Sequence, residues 1–407
     1  MKLQKSTLPS EIFQECTVAA VLILILLLFS CQENSKITRS SDDGVEIIQY
    51  HDIEDWLPRY EMELQEITAI SGYYQDSLFF PFAELWDFLI DRENNFFILE
   101  RNTCRVYKFS RAGKLLKTFG HRGLGPGETT APGPLFFSEG SCYLLSQAPQ
   151  KLIRFDPDLN YLADISLEPR AVFWVFRDQN NEANFFMTLD LLKTPAKRNS
   201  ISHWLRSYHT FNSPEFRRDT LATYRYHVGG EKQGNTIILD YTVPAHFLMA
   251  PDSTFWINQS VAYRIHLKNK HKPDKIIVIE YPLTKLSERE KKELKERALS
   301  RNFGSILAQA GLQKKVRNLP EYQQQITAID QLNEEIWVTV FSPADKENQE
   351  IHVYDLQGTL KKLISTEDTR FSTGRKKYAR GDTLYMIETG ENGDTAVKCY
   401  KMNFSKF

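Results

Sequence analysis

A recurring pair of short apolar strands joined by a polar turn is the strongest constraint on how this chain can fold. Each copy places Asp, Asn or Gly between runs of branched and aromatic residues, which is the chemistry of a β-hairpin. The copies are FLIDRENNFFIL (88–99), FFSEGSCYLL (136–145), VFRDQNNEANFFM (175–187), FLMAPDSTFWI (247–257), ITAIDQLNEEIWV (326–338) and KYARGDTLYMI (377–387). Aromatic residues make up 12% of the chain, and this also favours strands, because flat side chains suit a pleated surface.

A second hairpin pattern follows most of the first ones. It is found in VYKFSRAGKLLKTF (106–119), LIRFDPDLNYLADI (152–165), YRIHLKNKHKPDKIIVI (263–279) and HVYDLQGTLKKLI (352–364). Two hairpins make a four-stranded antiparallel unit whose apolar faces must be buried against neighbouring units. A β-sandwich also repeats hairpins, but the regular four-strand period favours a different architecture. The sequence therefore predicts an all-β fold, a six-bladed β-propeller over residues 60–407.

The spacing of the units predicts insertions and a closure of the ring. Residues 287–316 are predicted as a helical insertion, because Ser287 and Glu290 form a capping box ahead of a helical apolar period. The last unit has room for only three strands before the chain ends at Phe407. The alternating segment 60–70 is therefore predicted to pair beside 397–402 as the fourth strand of that unit.

The N-terminal region predicts export and lipid attachment. Residues 18–29 are an uninterrupted apolar run, which is too short to span a membrane comfortably and fits the core of a signal peptide. The run leads into Leu28 to Cys31, which resembles the bacterial lipobox, so Cys31 is the predicted lipidation site. An ordinary secretory signal or a short anchor is the alternative. We expect a lipoprotein signal peptide over 1–30, a flexible tether over 31–59, and attachment to the cell envelope, at the outer membrane.

The remaining cysteines and the glycine-rich segment predict structure rather than chemistry. Cys104, Cys142 and Cys399 are an odd set with no CxxC or zinc spacing, and we expect single buried thiols. The segment KTFGHRGLGPGETTAPGP (117–134) lacks the GK[ST] of a Walker loop and is followed by turn and strand, whereas a dinucleotide loop opens a helix. It is predicted to connect the outer strand of one blade to the next blade.

The stretch from Leu89 to Glu128, the lipobox, and the late segment LPEYQQQITAIDQLNEEIWV together resemble the bacterial six-bladed β-propeller lipoproteins, relatives of the NHL-repeat propellers. The resemblance covers most of residues 60–407. It implies a binding or scaffolding role at the cell envelope and no general enzymatic role.

The candidate binding residues lie where an outer strand returns to the next inner strand, beside the axial funnel. They combine basic and aromatic side chains, which suit an anionic or glycan-like ligand, although solvated loop residues would give the same pattern. They are His121, Arg122, Arg170, Tyr224, Arg225, His227, Tyr322 and Arg370.

Three functional classes stay open at this point: a non-enzymatic binding propeller, a calcium-dependent hydrolase or lyase of the lactonase type, and a scaffold subunit of an envelope complex. For the second class, Glu84, Asp87 and Asp330 are candidate ligands by position, but turn roles suit them better. We expect no catalytic residue, metal or cofactor. The formal net charge of -1 gives no global field for nucleic acid, so we expect no nucleic-acid partner.

Overall fold

The computed structural model describes residues 36–407, apart from residues 76, 168–171, 178–182, 192–199, 202–203, 213–216, 227–229, 234–235, 241–245, 253, 259, 270, 302–312, 342–348, 374–375 and 407. The first described elements are two paired strands, a short 3-10 helix, a long strand and a separate hairpin. They are β1 (Ile37–Asp42), β2 (Val45–Tyr50), η1 (Ile53–Asp55), β3 (Arg59–Ile70), β4 (Gly72–Gln75) and β5 (Leu78–Pro81).

Antiparallel strands fill the next part of the chain. They are β6 (Leu85–Ile90), β7 (Phe96–Glu100), β8 (Arg105–Phe109), β9 (Leu115–Phe119), β10 (Ala131–Ser138), β11 (Ser141–Ala148), β12 (Gln150–Phe155), β13 (Tyr161–Ser166), β14 (Val172–Arg177), β15 (Ala183–Leu191), β16 (Ser200–Ile201), β17 (Trp204–Asn212), β18 (Arg217–Tyr226), β19 (Gly230–Gln233) and β20 (Thr236–Asp240).

The described residues of the last part of the chain form one α-helix and one further 3-10 helix among strands. The elements are β21 (His246–Met249), β22 (Phe255–Asn258), β23 (Arg264–Asn269), β24 (Lys272–Ile279), α1 (Glu288–Arg301), β25 (Gln313–Arg317), β26 (Ile326–Leu332), β27 (Glu335–Val340), β28 (Gln349–Asp355), β29 (Leu360–Thr366), η2 (Thr369–Thr373), β30 (Lys377–Arg380), β31 (Thr383–Thr389) and β32 (Thr395–Lys406). Among the described residues, no helix is long and apolar enough to cross a membrane.

The strands form four-stranded antiparallel sheets that stand side by side as blades. Three of them are separate sheets, with the strand orders β6-β7-β8-β9, β10-β11-β12-β13 and β14-β15-β17-β18. Strands β21–β24 are part of a six-stranded sheet with the order β1-β2-β24-β23-β22-β21, and the last two units are joined in an eight-stranded sheet with the order β26-β27-β28-β29-β3-β32-β31-β30. A further sheet has the order β16-β19-β20-β25, and β4 pairs with β5. The first strands of neighbouring sheets contact one another: β6 lies against β10, β10 against β14, β21 against β26, and β26 against β30. Strand β6 also contacts β31 and β32, so the last sheet returns to the first. The chain is thus an all-β protein with its sheets arranged in several blades, which is consistent with a propeller.

The core lies between neighbouring blades, because each sheet has an apolar face on both sides. Leu89 and Phe97 of one sheet pack with Leu144 and Ile153 of the next. Phe88 and Ile98 pack on the other side against Val397 of the last sheet. Burial on both faces explains why the inner strands are nearly continuous apolar runs.

The predicted closure of the two chain ends is confirmed. Strand β3 runs antiparallel to β32, with Leu64 opposite Met402 and Ile70 opposite Val397. The first residues of β3 also pair in parallel with β29, which joins the last two sheets at their outer edges. The pairing removes an exposed strand edge.

The expectation of a flexible tether over 31–59 is wrong for residues 37–55. Strands β1 and β2 form a hairpin, and β2 pairs in parallel with β24, so this blade has six strands instead of four. Ile48, Tyr50 and Ile53 are buried in the core between this blade and the next. The segment VEIIQY alternates over only a few residues, and its pairing partner lies more than 200 residues away, so its local sequence alone resembles a polar linker.

The helical insertion is confirmed at its start and differs from prediction at its end. The capping box forms, because the Ser287 backbone N–H and hydroxyl both donate to Glu290 Oε2, at 2.8 and 2.6 Å. The helix occupies Glu288–Arg301, and residues 313–317 form β25, which pairs in parallel with β20. Residues 313–316 are therefore strand and not helix.

Candidate functional site

The inner strands of the blades and the residues next to them carry two ion pairs and a histidine–glutamine contact, which we together call the axial cluster. Asp87 lies on β6 and is fully buried, and its carboxylate accepts hydrogen bonds from Lys376 Nζ and from the Leu135 backbone N–H on β10, both at 2.8 Å. Its other oxygen accepts from the Phe88 N–H at 2.8 Å. A buried carboxylate needs such partners, because desolvation otherwise makes its charge costly. The cluster comprises Asp87, His246, Gln324, Asp330, Lys376 and Lys377.

The second ion pair of the axial cluster joins the blade that begins at β30 to the blade that begins at β26. Lys377 begins β30, and its side chain is completely buried. Its Nζ lies 2.7 Å from Asp330 Oδ2 on β26 and 2.9 Å from the Phe371 carbonyl oxygen. Charge on the lysine is therefore balanced within the protein.

His246, at the start of β21, extends the axial cluster to a fourth inner strand. Burial lowers the pKa of its imidazole, while a hydrogen bond with Gln324 and the charge of Asp330 act in the opposite direction. The histidine is therefore held more in its neutral form than a solvated histidine would be. Gln324 in turn donates to Asn258 Oδ1 at 3.0 Å. The Asp87–Lys376 pair thus links β6 to the residue before β30, and the Asp330–Lys377 pair links β26 to β30, with His246 of β21 influenced by the charge of Asp330.

The candidate calcium ligands are all occupied by cations of the protein. Glu84 pairs with Arg101 at 3.0 Å, in addition to the pairs of Asp87 with Lys376 and Asp330 with Lys377. Within the described part of the chain, no three His, Cys, Asp or Glu side chains are grouped as a metal site. Asp87 and Asp330 lie on inner strands, so the turn roles that we favoured for them are wrong.

The lysines of the axial cluster were not among the predicted site residues. Lys376 directly precedes the repeat KYARGDTLYMI, and Lys377 is its first residue, at the start of an inner strand. The position at the start of an inner strand was the available sequence signal for these lysines, since every inner strand lies close to the common centre of the blades. The sequence could not show which carboxylate each lysine meets, because the partners lie on other blades.

Two predicted ligand residues lie in the glycine-rich connection between β9 and β10. His121 Nε2 contacts Glu128 Oε1 at 2.6 Å. Arg122 donates to the Thr130 and Asn102 carbonyl oxygens, at 3.3 and 3.2 Å. Both side chains therefore hold the loop to its surroundings, although both remain exposed.

Carboxylates of the protein already bind the backbone amides of this glycine-rich loop. Gly125 N–H donates to Glu128 at 2.8 Å, and Gly127 N–H donates to Asp164 at 3.2 Å. Lys151 Nζ contacts Asp164 at 2.6 Å and fixes the arrangement. A Cβ at Gly123 would lie 1.9 Å from Glu128 Oε2, so a larger residue there would have to displace the Glu128 side chain from the loop. The loop is a structural connection, as predicted.

Arg370, another predicted ligand residue, is bound by acidic and aromatic neighbours. Its guanidinium pairs with Asp368, contacts Glu388 Oε1 at 2.7 Å, and stacks over the Tyr400 ring at 4.3 Å. The adjacent cavity of about 430 Å³ is lined by β3 and the segment after β29 and includes Glu61, Glu63, Glu367 and Asp368. An anionic ligand would meet carboxylates here.

The other predicted ligand residues are spread over the chain. Tyr322 forms an isolated bridge with Lys285 in the connection that leads to β26. The backbone of Tyr224 and Arg225 lies in β18, opposite Arg206 and Leu205 of β17. Arg170 and His227 lie outside the described residues. The structure therefore does not bring these residues together with His121 or Arg370 in one described site.

The three predicted single thiols are confirmed. Cys104, Cys142 and Cys399 are free and buried. Burial raises the pKa of the Cys399 thiol to about 12 and also raises that of Cys104. These thiols are consequently poor nucleophiles at neutral pH.

A second buried polar network joins the blade of β21–β24 to the blade of β26–β29. His352 is fully buried, and its Nε2 contacts Glu350 Oε1 at 2.5 Å while its Nδ1 lies 3.0 Å from the Tyr263 hydroxyl. The Tyr263 and Tyr354 hydroxyls are 2.6 Å apart, and Tyr281 donates to Glu350 at 2.7 Å. Burial by itself raises the pKa of Glu350. The hydrogen bond and charge of His352 and the hydrogen bond from Tyr281 outweigh this effect, and the pKa is lowered to about 2.

This low pKa predicts how Glu350 contributes to acid stability. The folded-state pKa lies below the unfolded value, so the contribution is full above about pH 4.5 and is lost as the pH falls through about 2. The difference between the folded and unfolded pKa values of Glu350 corresponds to a contribution of about 3 kcal/mol to the free energy of unfolding. Urea unfolding of the wild type and Glu350→Gln should therefore give free energies that differ most at pH 6 and converge towards pH 2. Glu334→Gln, on an exposed turn, is the control and should show no such convergence. A difference independent of pH would contradict the assignment.

Comparisons with known proteins give structural likenesses only. No protein-family model matches the chain, and no curated protein matches its sequence. A Bacteroides fragilis protein described as exported is 12% identical, with a TM-score of 0.45 over 85% of this chain and 96% of that chain. A DUF4221 family member from Bacteroides vulgatus is 9% identical (TM-score 0.46, 85% and 99% covered), and virginiamycin B lyase from Staphylococcus aureus is 11% identical (0.41, 83% and 99%). They assign no family, substrate or activity to this chain.

Proposed function

We propose that this chain is a lipid-anchored protein of the cell envelope, at the outer membrane, whose six-bladed propeller binds a polar ligand at its axis without converting it. The axial cluster is the observation that carries the proposal. Inner strands of different blades contribute complementary charges to it, and the Lys376 side chain is 38% exposed while Lys377 is completely buried. A partly exposed lysine side chain between two blades can receive a ligand through the further hydrogen bonds of its ammonium.

The ligand class follows from the chemistry of this lysine. An ammonium donates charge-assisted hydrogen bonds to carboxylates or sulfates and ordinary hydrogen bonds to sugar hydroxyls. The neighbouring Asp87 carboxylate, which Lys376 already contacts at 2.8 Å, balances its charge. This supports an anionic or glycan-like ligand of modest affinity over a highly charged polymer such as nucleic acid.

The proposal predicts that Lys376 sets ligand affinity. Purified protein should be titrated with uronic acids, sulfated glycans and neutral sugars, using a fluorescence or calorimetric readout on folded protein. For a glycan that binds, Lys376→Met should weaken the affinity at least about tenfold, which corresponds to ~1.4 kcal/mol. Lys376→Arg keeps the pairing with Asp87 and should retain part of the affinity. Lys117→Met is the control, because Lys117 lies on the outer strand β9 and its side chain bonds to Asn160. Equal effects of Lys376→Met and Lys117→Met would contradict an axial site.

The calcium-dependent hydrolase or lyase is the alternative, and the same preparation tests it. Calcium binding would require Asp87 and Asp330 to exchange their lysines for the metal. A chelator would then lower the melting temperature, because a bound ion stabilises by about 2.7 kcal/mol at a hundredfold excess over its dissociation constant. We expect no change in melting and no product from the bound glycan. A scaffold role would instead give a stable protein complex in detergent extracts and no glycan affinity.

Lipid attachment at Cys31 predicts a change in location and mass. Replacement by serine removes the thiol that would carry the acyl chains, so Cys31→Ser protein should leave the membrane fraction and lose the mass of the lipid. Cys104→Ser is the control, since that thiol is buried in the first blade. Unchanged mass and membrane attachment in Cys31→Ser would show that residue 31 is not the lipidation site.

A further inference from the structure

The hairpin β4–β5 presents an aromatic face to solvent. Tyr73 stacks on Phe80 across the hairpin at 5.4 Å and contacts the tilted ring of Tyr107 in the first blade at 5.1 Å, which covers part of one face and leaves Phe80 39% exposed. Because strand side chains alternate, Tyr74 and Phe79 form the opposite face. Tyr74 is 72% exposed and Phe79 46%, and Leu78 at the tip is 64% exposed. Such grouped exposure of large apolar residues marks an interaction surface.

Contacts place this hairpin at one end of the first blade. The residues that follow β5 bond to the turn between β7 and β8: the Ala83 N–H donates to Glu100 at 3.1 Å, and the Arg101 N–H donates to the Glu84 carbonyl at 2.9 Å. Arg122 in the glycine-rich loop bonds to the Asn102 carbonyl of the same turn. That loop exposes Leu124 (73%). Two connections from an outer to an inner strand therefore present apolar side chains at the same end.

The chain enters the folded body at an equivalent place. Ile37 pairs with Tyr50, and Tyr50 pairs with Ile279, the last residue of the outer strand β24. The start of β1 thus lies two strand spacings, about 10 Å, from the connection that leaves β24. This connection also runs from an outer to an inner strand, and it exposes Leu283 (42%).

We propose that this end of the blades lies on a lipid bilayer, with the tip of hairpin β4–β5 inserted into the interfacial region. The inference rests on the lipid anchor at Cys31. Lys36 follows Cys31 by five residue steps, and these reach at most about 18 Å. A blade strand of five residues is itself about 17 Å long, so the anchor holds the chain entry, and the connections at that end, close to the headgroups.

The chemistry of the hairpin fits the bilayer interface. Residues 71–83 (SGYYQDSLFFPFA) contain no lysine or arginine and combine aromatic with aliphatic side chains. Tyrosine rings suit this region because the ring is apolar while the hydroxyl remains hydrated. Shallow insertion of Tyr74, Leu78 and Phe79 would complement the acyl anchor, since a second attachment strengthens membrane binding.

Fluorescent labelling of the full-length, lipid-bearing protein tests the proposal. Protein carrying Ser77→Cys at the hairpin turn is labelled with an environment-sensitive dye and reconstituted into vesicles of phosphatidylethanolamine and phosphatidylglycerol. Ala112→Cys is the matched control, because it lies in the exposed turn between β8 and β9, at the other end of the same blade. We expect blue-shifted emission and quenching by brominated lipid at residue 77 and solvent-like emission at residue 112. The triple variant Tyr74→Ser/Leu78→Ser/Phe79→Ser should lose the shift at residue 77.

Each other outcome has a distinct meaning. Equal, solvent-like emission at both positions would overturn the proposal, and so would protection of residue 77 in whole envelopes but not in vesicles, which would indicate a protein partner. Mass spectrometry of the same samples reports the anchor separately. An unmodified Cys31 would contradict the proposed lipid attachment, whereas a lipid-bearing Cys31 with a solvated residue 77 would contradict only this surface.

Discussion

Deletion of residues 37–50 should lower the free energy of unfolding by about 5 kcal/mol. The hairpin β1–β2 buries Ile48 and Tyr50 fully, and each such side chain stabilises by about 1.5–3 kcal/mol. The Tyr50 hydroxyl also accepts a hydrogen bond from the Leu360 N–H at 3.2 Å, on the neighbouring blade. Deletion of the hairpin leaves the Leu360 amide without this partner. It also exposes the backbone edge of β24 to pairing with other chains.

Urea unfolding at neutral pH measures this effect, and point variants separate its parts. Tyr50→Ala should reproduce about 3 kcal/mol of the loss, because a large buried aromatic side chain is removed. Ser41→Ala on exposed β1 should stay within about 0.5 kcal/mol of the wild type. If the deleted protein unfolds at the wild-type urea concentration and remains monomeric, the docking of this hairpin is wrong and residues 37–50 are a tether after all.

Lys377→Met should destabilise the protein by about 3 kcal/mol, the second large effect. Methionine keeps most of the buried volume but removes the cation that lies 2.7 Å from Asp330. The carboxylate, whose side chain is only 22% exposed, is then left without its main partner. Breaking a buried pair from one side costs roughly 3–5 kcal/mol, and partial exposure of Asp330 places the value at the low end.

A double-mutant cycle distinguishes the charge from the packing. Asp330→Asn/Lys377→Met removes both charges and should recover part of the loss, because no isolated buried charge remains. Lys362→Met is the matched control, because Lys362 pairs with Glu335 at 2.9 Å near the surface of the blade that contains Asp330. We expect this variant to lose less than 1 kcal/mol of unfolding free energy. Additive losses in the cycle would show that Asp330 and Lys377 are not coupled.

The features that the sequence predicted correctly depend on residues that are close in the chain or on a strong period. The paired hairpins follow from alternating apolar residues around polar turns, such as the turn at Asp91 to Asn95, where the Asp91 side chain binds the Asn95 amide at 2.8 Å. The capping box of Ser287 and Glu290 spans three residues. Closure by 60–70 was the exception over a long distance, and it followed from counting strands: a unit with three strands requires a fourth.

The site was predicted much less well than the fold. The predicted ligand residues His121, Arg122 and Arg370 are bound by their own neighbours, Glu128, Thr130 and Glu388. The axial cluster escaped prediction because its pairs join residues on different blades. A lysine at a strand start resembles a surface residue until its partner is known.

The sequence by itself determined the strand pattern, the capped helix and the position of the glycine-rich loop between two strands, because these follow from local hydrogen bonding and from the period of apolar side chains. It also predicted the closure of the chain ends, because the strand count left one unit a strand short. Only the tertiary structure decided that residues 37–50 join a blade, that Asp87 and Asp330 meet Lys376 and Lys377, and that the β4–β5 hairpin leaves Tyr74 and Phe79 uncovered. Each of these depends on which distant surfaces are in contact. A short alternating segment or a single charged residue has several acceptable environments, and the packing of the blades selects one of them.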